Sequence, residues 1–309
     1  MLLKLVVFLV KVKLILASTP IIIPEGEDLT RINATTSEWL SRTCGITDER
    51  NGRRYPWAVS ILYFGENKLG GTIISPYHIL TAAHGFVKFS NYMYIYETFS
   101  RTSCVIWRLR TKKDLDLRMV AYGGDCINEE SQSQGCAHPH MMFNRIKAVL
   151  LDFDFATGHC VNGHDWAIIE VENPIKFDAN IRPICLPKPM QEIETKLTVA
   201  GWGRIFGRKD NRIRGIPLKY APKCLIPFPD TRPKNVPDYL CAKPLNYVNL
   251  CHGHSGAGLV QSDSQNRSTI VGLTSFGSKG CPADETTVFT KVSIYLHEIC
   301  YFTGVCYSL

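Results

Sequence analysis

The apolar N-terminus of the sequence lacks the uninterrupted run of about twenty residues that a membrane-spanning helix needs. Lys11 and Lys13 interrupt it, and the small residues Ala17 and Ser18 follow it. This pattern is typical of a secretory signal peptide, with a buried strand as the alternative. We therefore predict a signal peptide at residues 1–18, no membrane segment and a secreted protein.

The sequence also lacks a concentration of charge of one sign. It has 35 Lys and Arg against 28 Asp and Glu, which gives a net charge of +7. Three of the positive charges, Lys4, Lys11 and Lys13, lie in the N-terminal leader and leave +4 for the remainder. Because so diffuse a surplus does not indicate a nucleic-acid partner, none is expected.

Amphipathic helical patterns are scarce as well. After Asp165 the apolar segments are short, β-branched and separated by Pro or Gly, which predicts strands. One helix is predicted at the C-terminus by apolar residues spaced i, i+3, i+4 and i+7, namely Val292, Tyr295, Leu296 and Ile299. With 45% hydrophobic residues, a chain of 309 residues can build a large all-β core.

The first candidate for chemistry is Ser255, in the run Gly253-His254-Ser255-Gly256. A serine between glycines can present its hydroxyl to a substrate carbonyl, while nearby backbone N–H groups face the oxygen that becomes negative. An ordinary tight turn explains the same run, because glycine supplies the positive φ and serine caps a neighbouring N–H. The run alone is therefore a weak signal.

Two other stretches supply the partners that such a nucleophile needs. His84 ends the apolar stretch Ile79-Leu-Thr-Ala-Ala-His84 and is a candidate base. Asp165, in His164-Asp165-Trp166, is a candidate to orient that base. The chain order His, Asp, Ser is the order of the chymotrypsin-type triad.

Five further motifs occur in family order, and with the triad they make the chain resemble a divergent member of the chymotrypsin/trypsin-like serine proteases. They are Pro56-Trp-Ala-Val-Ser60, Arg182-Pro-Ile-Cys-Leu-Pro187, Val199-Ala-Gly-Trp-Gly203, Gly272-Leu-Thr-Ser-Phe-Gly277 and Val288-Phe-Thr-Lys-Val292. The resemblance implies an all-β fold of two packed six-stranded antiparallel β-barrels with a C-terminal helix.

The resemblance also implies a role for each site residue. Ser255 attacks the scissile carbonyl, His84 carries its proton to the leaving amine, and Asp165 orients and stabilises the imidazole. The backbone N–H groups of Gly253 and Ser255 form the oxyanion hole. No cofactor and no metal is expected.

Five residues match the family's primary substrate pocket: Asn249, Ser275, Phe276, Gly277 and Thr287. A trypsin-like enzyme needs a carboxylate at the base of that pocket, and Asn249 occupies the position here. Thr287 stands where the family often has glycine and should shorten the pocket. We expect a preference for small or medium uncharged side chains before the scissile bond.

Twelve cysteines behind a leader indicate disulfides rather than metal or redox chemistry. The resemblance implies the pairs Cys44–Cys185, Cys224–Cys241 and Cys251–Cys281. Two familiar bridges of the family have lost both halves, with Leu69 and Gly85 at one and Leu197 and Gln261 at the other. Loss in pairs leaves no stray thiol.

The pairing of the other six cysteines is not determined by the sequence; they are Cys104, Cys126, Cys136, Cys160, Cys300 and Cys306. Four of them fall in the long interval between His84 and Asp165, where we predict an insertion within about 97–160. Histidines accompany them at 138, 140, 159 and 164, so a zinc site is an alternative. Paired cysteines and surface histidines are the preferred interpretation in an oxidising compartment.

The remaining organisation is simple. Residues 19–50 are predicted to be an N-terminal pro or linker segment, and residues 51–309 the peptidase domain. Asn33-Ala-Thr and Asn266-Arg-Ser match glycosylation acceptors, which matter in a secreted chain. Unmodified turns are the alternative for both.

The elements by which the resembled family is switched on are altered. That family pairs a freed amine, from a cut before an Ile-Val-Gly-Gly-type sequence, with an aspartate just before the catalytic serine. No such sequence occurs between Cys44 and Pro56, and the residue before Ser255 is His254. We expect either a site ordered without cleavage or a latent one that awaits a partner. The alternative is a cut in Glu49-Arg50-Asn51 or at Arg53-Arg54 whose new amine binds another acid.

Three functions remain open at this point. The first is a secreted serine endopeptidase that acts on polypeptides and interacts with protein inhibitors or an activating partner. The second is a protease-like binding or regulatory protein without turnover, which the altered activation elements favour. The third is a zinc-dependent hydrolase.

Overall fold

The structure is a computed structural model that describes residues 20–47, 52–89, 106–127, 136–138, 140–157, 163–209, 211–224, 237–278 and 280–306. The strands in these residues are β1 (Ile21–Ile23), β2 (Ala58–Tyr63), β3 (Glu66–Ile73), β4 (His78–Thr81), β5 (Val87–Phe89), β6 (Ile106–Leu109), β7 (Arg118–Tyr122), β8 (Met142–Leu151), β9 (Ala167–Val171), β10 (Lys196–Gly201), β11 (Arg214–Tyr220), β12 (Tyr239–Pro244), β13 (Gly258–Ser262), β14 (Ser268–Phe276) and β15 (Thr287–Lys291). The helices are α1 (Ala34–Thr43), α2 (Lys112–Asp116), α3 (Phe153–Thr157) and α4 (Leu296–Thr303), and short 3-10 turns cover Ala83–Phe86 and Val292–Ile294.

The first barrel has strand order β8-β7-β2-β3-β4-β9, and antiparallel pairing of β8 with β9 closes it. Apolar side chains from every strand fill its interior, among them Val59, Ile73, Ile79, Val120, Val149 and Ile169. Burial of these residues is the main favourable free-energy term for this half of the molecule. β1 adds a seventh strand outside the closed ring by pairing with β8.

The second barrel is closed in the order β10-β11-β12-β15-β14-β13. Its core contains Val199, Leu218, Leu240, Leu259, Val271 and Phe289. The register of β14 against β15 shifts between Thr274 and Phe276. This irregularity lies at the end of β14 that faces the predicted substrate pocket.

A third apolar cluster packs between the barrels and under the C-terminal helix. It includes Trp57, Leu80, Leu150, Trp166, Val260, Leu273, Tyr295 and Ile299. The predicted C-terminal stripe is buried, because Val292, Tyr295, Leu296 and Ile299 are each at most 5% exposed. The all-β prediction of two six-stranded barrels with a C-terminal helix is confirmed. Among the described helices, none is long and apolar enough to cross a membrane.

The predicted linker at 19–50 is integrated into the fold where the structure describes it. β1 pairs with the first barrel, and Leu40 of α1 is buried in the cluster between the barrels. Asn33 begins α1, since its side chain accepts a hydrogen bond from the N–H of Thr36 at 2.8 Å and caps the helix. The predicted signal peptide lies outside the described residues.

The predicted insertion within about 97–160 contains two barrel strands, β7 and β8, so the additional material is divided around them. Before β7, the strands β5 and β6 form a small two-stranded sheet and α2 follows it. α2 begins with a capping box between Thr111 and Asp114. Most of the other added residues lie outside the described ranges.

The structure pairs Cys44 with Cys185, Cys224 with Cys241, and Cys251 with Cys281. It also pairs Cys126 with Cys136 and Cys300 with Cys306. Cys104 and Cys160 lie outside the described residues.

Other contacts occupy the two places where family bridges are missing. A Cβ on Gly85 would lie 2.5 Å from the side chain of Leu69, so Leu69 packs directly over that glycine. At the second place, Leu197 is buried in the core of the second barrel. The amide of Gln261 there accepts from Glu194 N at 3.0 Å and donates to Glu192 O at 3.1 Å.

Candidate active site

His84 and Asp165 are brought together by adjacent strands of the first barrel. His84 lies in the 3-10 turn that follows β4, and Asp165 lies just before β9, the strand that pairs with β4. The ring Nδ1 of His84 is 2.7 Å from Asp165 Oδ2, and the backbone N–H of His84 donates to Oδ1 at 2.8 Å. Because an ionised carboxylate only accepts, Nδ1 carries the proton and Nε2 is left to act as a base.

Asp165 is held as a buried anion. Its carboxylate also accepts the hydroxyl proton of Ser275, and its backbone carbonyl accepts from Thr290 at 3.0 Å. Burial tends to raise the pKa of Asp165, but His84 and the hydroxyl of Ser275 outweigh it and hold this pKa below its ordinary value. Burial likewise opposes the charge on His84, and the carboxylate outweighs it and raises the pKa of His84.

Ser255 comes from the second barrel, three residues before β13. Its backbone carbonyl accepts from the N–H of Gly70 on β3 at 2.7 Å, which ties the serine to the first barrel near His84. Gly256 follows with φ +77°, and a Cβ there would lie 2.2 Å from Thr81 Oγ1. The barrels therefore meet closely at the serine.

The side chain of Ser255 is not bonded to His84 in this structure. Within the described part of the chain its hydroxyl has no hydrogen-bond partner. Hydrogen bonds between nucleophile and base often tighten only in the substrate complex. The hydroxyl of Ser255 is therefore unengaged in this structure.

The loop before Ser255 presents two N–H groups. Gly253 has φ +91°, a conformation that favours glycine. Neither the N–H of Gly253 nor that of Ser255 donates to another described residue, so both are available to an oxyanion. Such donors act strongly when they are fixed before the reaction begins.

His254, between those two residues, is fully buried and neutral. Burial lowers its pKa to about 4. Its Nδ1 lies 3.2 Å from the carbonyl of Cys251, and the ring covers the glycines Gly201 and Gly203, where an added Cβ would come within 3.3 Å and 2.0 Å of it. The space that would receive a charged pair is filled by an uncharged imidazole.

Three of the predicted pocket residues, Asn249, Gly277 and Thr287, lie next to one another. Asn249 and Thr287 are both buried, and Thr287 Oγ1 donates to Asn249 Oδ1 at 3.1 Å. A Cβ on Gly277 would lie 3.6 Å from Thr287 Oγ1, so the threonine stands beside that glycine. The Asn249 amide donates to the carbonyls of Pro282 and Glu285, at 2.6 and 3.1 Å. Asn249 therefore organises the 282–285 loop.

Two predicted pocket residues have different environments. Ser275, predicted only as substrate-binding, donates from its hydroxyl to the carboxylate of Asp165 and helps to orient it. Phe276 is partly exposed, and its ring lies 5.8 Å from that of Tyr239 in an edge-to-face arrangement.

Two polar residues at the site were missed by the sequence analysis. Asp238 is 2% exposed and accepts from His164 N at 2.7 Å and from Tyr295 OH at 2.6 Å, which links the loop of Asp165 to the C-terminal helix. Burial raises its pKa. Asn67 donates to the carbonyl of Gly253 across 186 residues of sequence. Neither lies in a recognisable motif, because each acts through a tertiary contact.

The residues considered for zinc are engaged elsewhere. Cys136 is bonded to Cys126, and His138 Nδ1 lies 3.0 Å from Asp125 Oδ2. Asp152, Asp154 and His164 form a cluster, yet the Asp152 carboxylate already accepts from Trp166 Nε1 at 2.8 Å and from backbone N–H groups. Of the two other candidates, His140 is exposed and His159 lies outside the described residues.

The segment between Cys44 and Pro56 is anchored by a buried cation. Arg53 is 1% exposed, and its Nε donates to Asp125 Oδ1 at 2.9 Å. Its guanidinium lies 5.4 Å from the ring of Trp202. Trp202 in turn donates to the backbone of Asp125 at 2.9 Å and precedes Gly203, on which His254 packs.

Comparisons with known proteins agree with this architecture. The family model "Trypsin" matches residues 140–299. Phenoloxidase-activating factor 1 of Holotrichia diomphalia is 26% identical over 279 residues, which cover 84% of this chain and 72% of that protein. Transmembrane protease serine 11A of Homo sapiens is 24% identical over 257 residues, covering 81% of this chain and 53% of that protein. The chain thus spans only about half of the second relative.

Among solved structures, human heparin binding protein superposes with a TM-score of 0.57 at 19% sequence identity. The match covers 82% of this chain and 95% of that one. At this level of identity the likeness describes the fold.

Proposed function

Because this chain belongs to the trypsin family of serine proteases, we propose that it is a secreted endopeptidase that uses His84, Asp165 and Ser255. The observation that carries the proposal is the 2.7 Å bond between His84 Nδ1 and the buried Asp165 carboxylate. That bond leaves Nε2 unprotonated at the junction where Ser255 is held. A buried, hydrogen-bonded carboxylate behind a histidine is costly to build, and catalysis is the use that explains it.

The mechanism follows from these positions. Ser255 Oγ attacks the carbonyl carbon of the scissile bond while His84 Nε2 takes the hydroxyl proton. The oxyanion then accepts hydrogen bonds from the N–H groups of Gly253 and Ser255. The C–N bond then breaks as His84 returns the proton to the amine, which leaves an acyl-enzyme. Water, deprotonated by His84, attacks the acyl carbon, the bond from that carbon to Ser255 Oγ breaks, and His84 returns the proton to Oγ.

The proposed substrate side chain before the scissile bond is small or medium and uncharged. Asn249 offers no carboxylate to Lys or Arg, and its amide is already used to hold the 282–285 loop. Thr287 lies beside Gly277 and occupies space that a longer side chain would need. Polypeptides are therefore the proposed partners, together with protein inhibitors or an activating protein.

The proposed organisation of the whole chain remains that of the sequence analysis. Residues 1–18 direct secretion, residues 19–50 precede the peptidase domain, and residues 51–309 form it. The cysteine pairs at 44–185, 224–241 and 251–281 suit an oxidising compartment. Asn33 and Asn266 are both exposed, as glycan acceptors must be.

A second function, a protease-like binding or regulatory protein, is favoured by one observation. His254 is buried and neutral, so the loop before Ser255 has no charge with which to pair a freed amine. A fold of this type can be retained for binding after turnover is lost.

Labelling of the purified chain with a fluorophosphonate, with peptide cleavage measured in parallel, decides between the two functions. We expect wild type to be labelled and Ser255→Ala to lose both labelling and cleavage. Ser264→Ala, on the exposed turn after β13, is the matched control and should behave as wild type. Equal labelling of wild type and Ser255→Ala would remove Ser255 from the mechanism. A folded wild type without labelling would favour the binding protein.

A further inference from the structure

The loop that carries the proposed oxyanion donors is hydrogen-bonded on one side to β3. The side chain of Asn67 on this strand donates from Nδ2 to the carbonyl of Gly253 at 3.1 Å. Three residues further along β3, the N–H of Gly70 donates to the carbonyl of Ser255 at 2.7 Å. One strand therefore holds the loop at both residues that flank His254.

The orientation of the Asn67 amide is determined by its two partners. The Gly253 carbonyl only accepts, so the nitrogen of the amide faces it. The amide oxygen then accepts from the hydroxyl of Ser60 on β2 at 2.7 Å, and that serine is fully buried. Both polar ends of the side chain are satisfied in one arrangement only, which fixes the rotamer.

The loop is shaped to receive this side chain. A Cβ on Gly253 would lie 2.5 Å from Asn67 Nδ2, so the amide occupies the space left by the missing side chain. Gly253 keeps φ +91°, and its carbonyl belongs to the peptide that joins it to His254. That peptide lies in the chain between the N–H groups of Gly253 and Ser255, so its rotation would change the position of one proposed oxyanion donor relative to the other.

Among the described residues, the contacts that hold this loop on β3 involve no charged group. His254 is buried and bonded through Nδ1 to the carbonyl of Cys251, its own loop. The described contacts that hold the loop to the first barrel are therefore neutral hydrogen bonds. They are present in the uncut chain.

We propose that Asn67 is a positioning residue that holds the oxyanion loop in its working conformation without cleavage of the chain. The proposal rests on the proposed function for its catalytic consequence, but the loop position can be measured separately. Asn67 touches no reacting atom; it acts through the carbonyl of Gly253.

Asn67→Asp is the decisive variant, because it keeps the size and the acceptor for Ser60 but loses the N–H donor to Gly253. In the full-length uncut chain, we expect the maximal rate of fluorophosphonate labelling to fall by at least about 10-fold. The fall should be smaller than the one caused by removing an oxyanion donor altogether. The reagent concentration at half-maximal rate should change by less than about 2-fold, because the pocket is untouched. Hydrogen exchange of backbone amides should accelerate within residues 249–257.

Gln265→Glu is the matched control, since it makes the same amide-to-acid change on the exposed turn between β13 and β14. It should alter neither labelling nor exchange near Ser255. Asn67→Asp with wild-type labelling and wild-type exchange would overturn the proposal. So would slower labelling accompanied by faster exchange throughout the first barrel, which would mean general destabilisation. If wild type is not labelled, the proposed function fails while the exchange comparison still tests the positioning role.

Discussion

At the scale of single residues, the candidate triad was predictable because each of its residues lies in a short sequence motif. His84 follows an apolar strand, Asp165 precedes one, and Ser255 is surrounded by glycines. Asn67 and Asp238 were not predictable in the same way. Their partners lie 186 and 74 residues away, and no local pattern reports a contact that only the fold creates.

The pH dependence of labelling should be set by His84. Because Asp165 raises the pKa of His84 above its ordinary 6.5, the labelling rate should rise with pH through a midpoint above 6.5, where the base becomes neutral. Asp165→Asn removes the charge but keeps the burial, so the midpoint should move below 6.5. The maximal rate should fall roughly 10⁴-fold, the magnitude known for this change in the chymotrypsin-type triad. Rates from pH 5 to 9 measure both, and an unmoved midpoint would contradict the assignment.

Substrate specificity should depend on the size of the side chain at Thr287, and a charge introduced at position 249 should not change it. Thr287→Gly opens the space beside Gly277, so cleavage after Phe or Leu should gain at least about 10-fold relative to cleavage after Ala. Asn249→Asp should not create cleavage after Arg or Lys, because the new carboxylate would face the carbonyls of Pro282 and Glu285. A peptide library profiled with all three proteins measures the outcome. Preference of wild type for Arg or Lys would contradict the pocket assignment.

At the scale of elements, motif-bearing strands were predictable and the N-terminal additions were not. The motif beginning at Pro56 includes the first half of β2, and the motif at Gly272 covers the second half of β14 and ends one residue beyond it. β1 is only three residues long, and α1 has little apolar character beyond Leu40. Such short or weakly amphipathic segments are stabilised by what they pack on, which a single sequence does not display.

The segment from Cys44 to Pro56 should resist activation by trypsin. Arg53 is buried against Asp125 and Trp202, so the peptide bond after it should remain intact while bonds after exposed Lys and Arg are cut. Fluorophosphonate labelling should change by less than about 2-fold on incubation with trypsin, since a freed amine finds no acid before Ser255. Arg53→Gln is the comparison, because it abolishes any cut after residue 53 and leaves Arg50 and Arg54 as the trypsin sites of this segment.

Peptide mapping over the same time course shows which bonds are cut. A large rise in labelling that tracks a single cut between Cys44 and Pro56 would mean that cleavage activates this protein after all.

At the scale of the whole molecule, the fold was predictable because it follows from the order of motifs and the spacing of strands. What the sequence did not reveal is how the barrels compensate for the missing family bridges. Leu69 over Gly85 and the bonds of Gln261 depend on shapes that exist only after folding. The pKa values of the buried histidines likewise depend on the folded molecule, and they affect its stability.

Stability should fall as the pH drops from 6.5 to 4. His78 and His254 are buried, and burial lowers the pKa of each to about 4, so only the unfolded chain binds protons on them in this window. Each pKa difference corresponds to about 3 kcal/mol at most in the free energy of unfolding. The raised pKa of His84 changes the free energy of unfolding only above pH 6.5, so it does not cancel this loss. Asp165 acts below its ordinary value, outside most of the window. The raised pKa of Asp238 opposes the fall in stability, but it is one group against the two buried histidines.

Urea unfolding at pH 7, 5.5 and 4.5 measures that loss. His254→Gln keeps a side chain that can donate to the carbonyl of Cys251 and should reduce the pH dependence by roughly half. The same slope in wild type and His254→Gln would show that folding does not lower the pKa of His254.

Because Cys44 is bonded to Cys185, a cut within residues 45–55 would release no part of the chain. The N-terminal piece would stay attached through sulfur, through the pairing of β1 with β8 and through the burial of Leu40. A nicked molecule would migrate as one species until it was reduced, when it would separate into a light and a heavy chain. A cut within residues 45–55 therefore cannot act by releasing an N-terminal inhibitor, and could change activity only through the shape of the loop around Ser255.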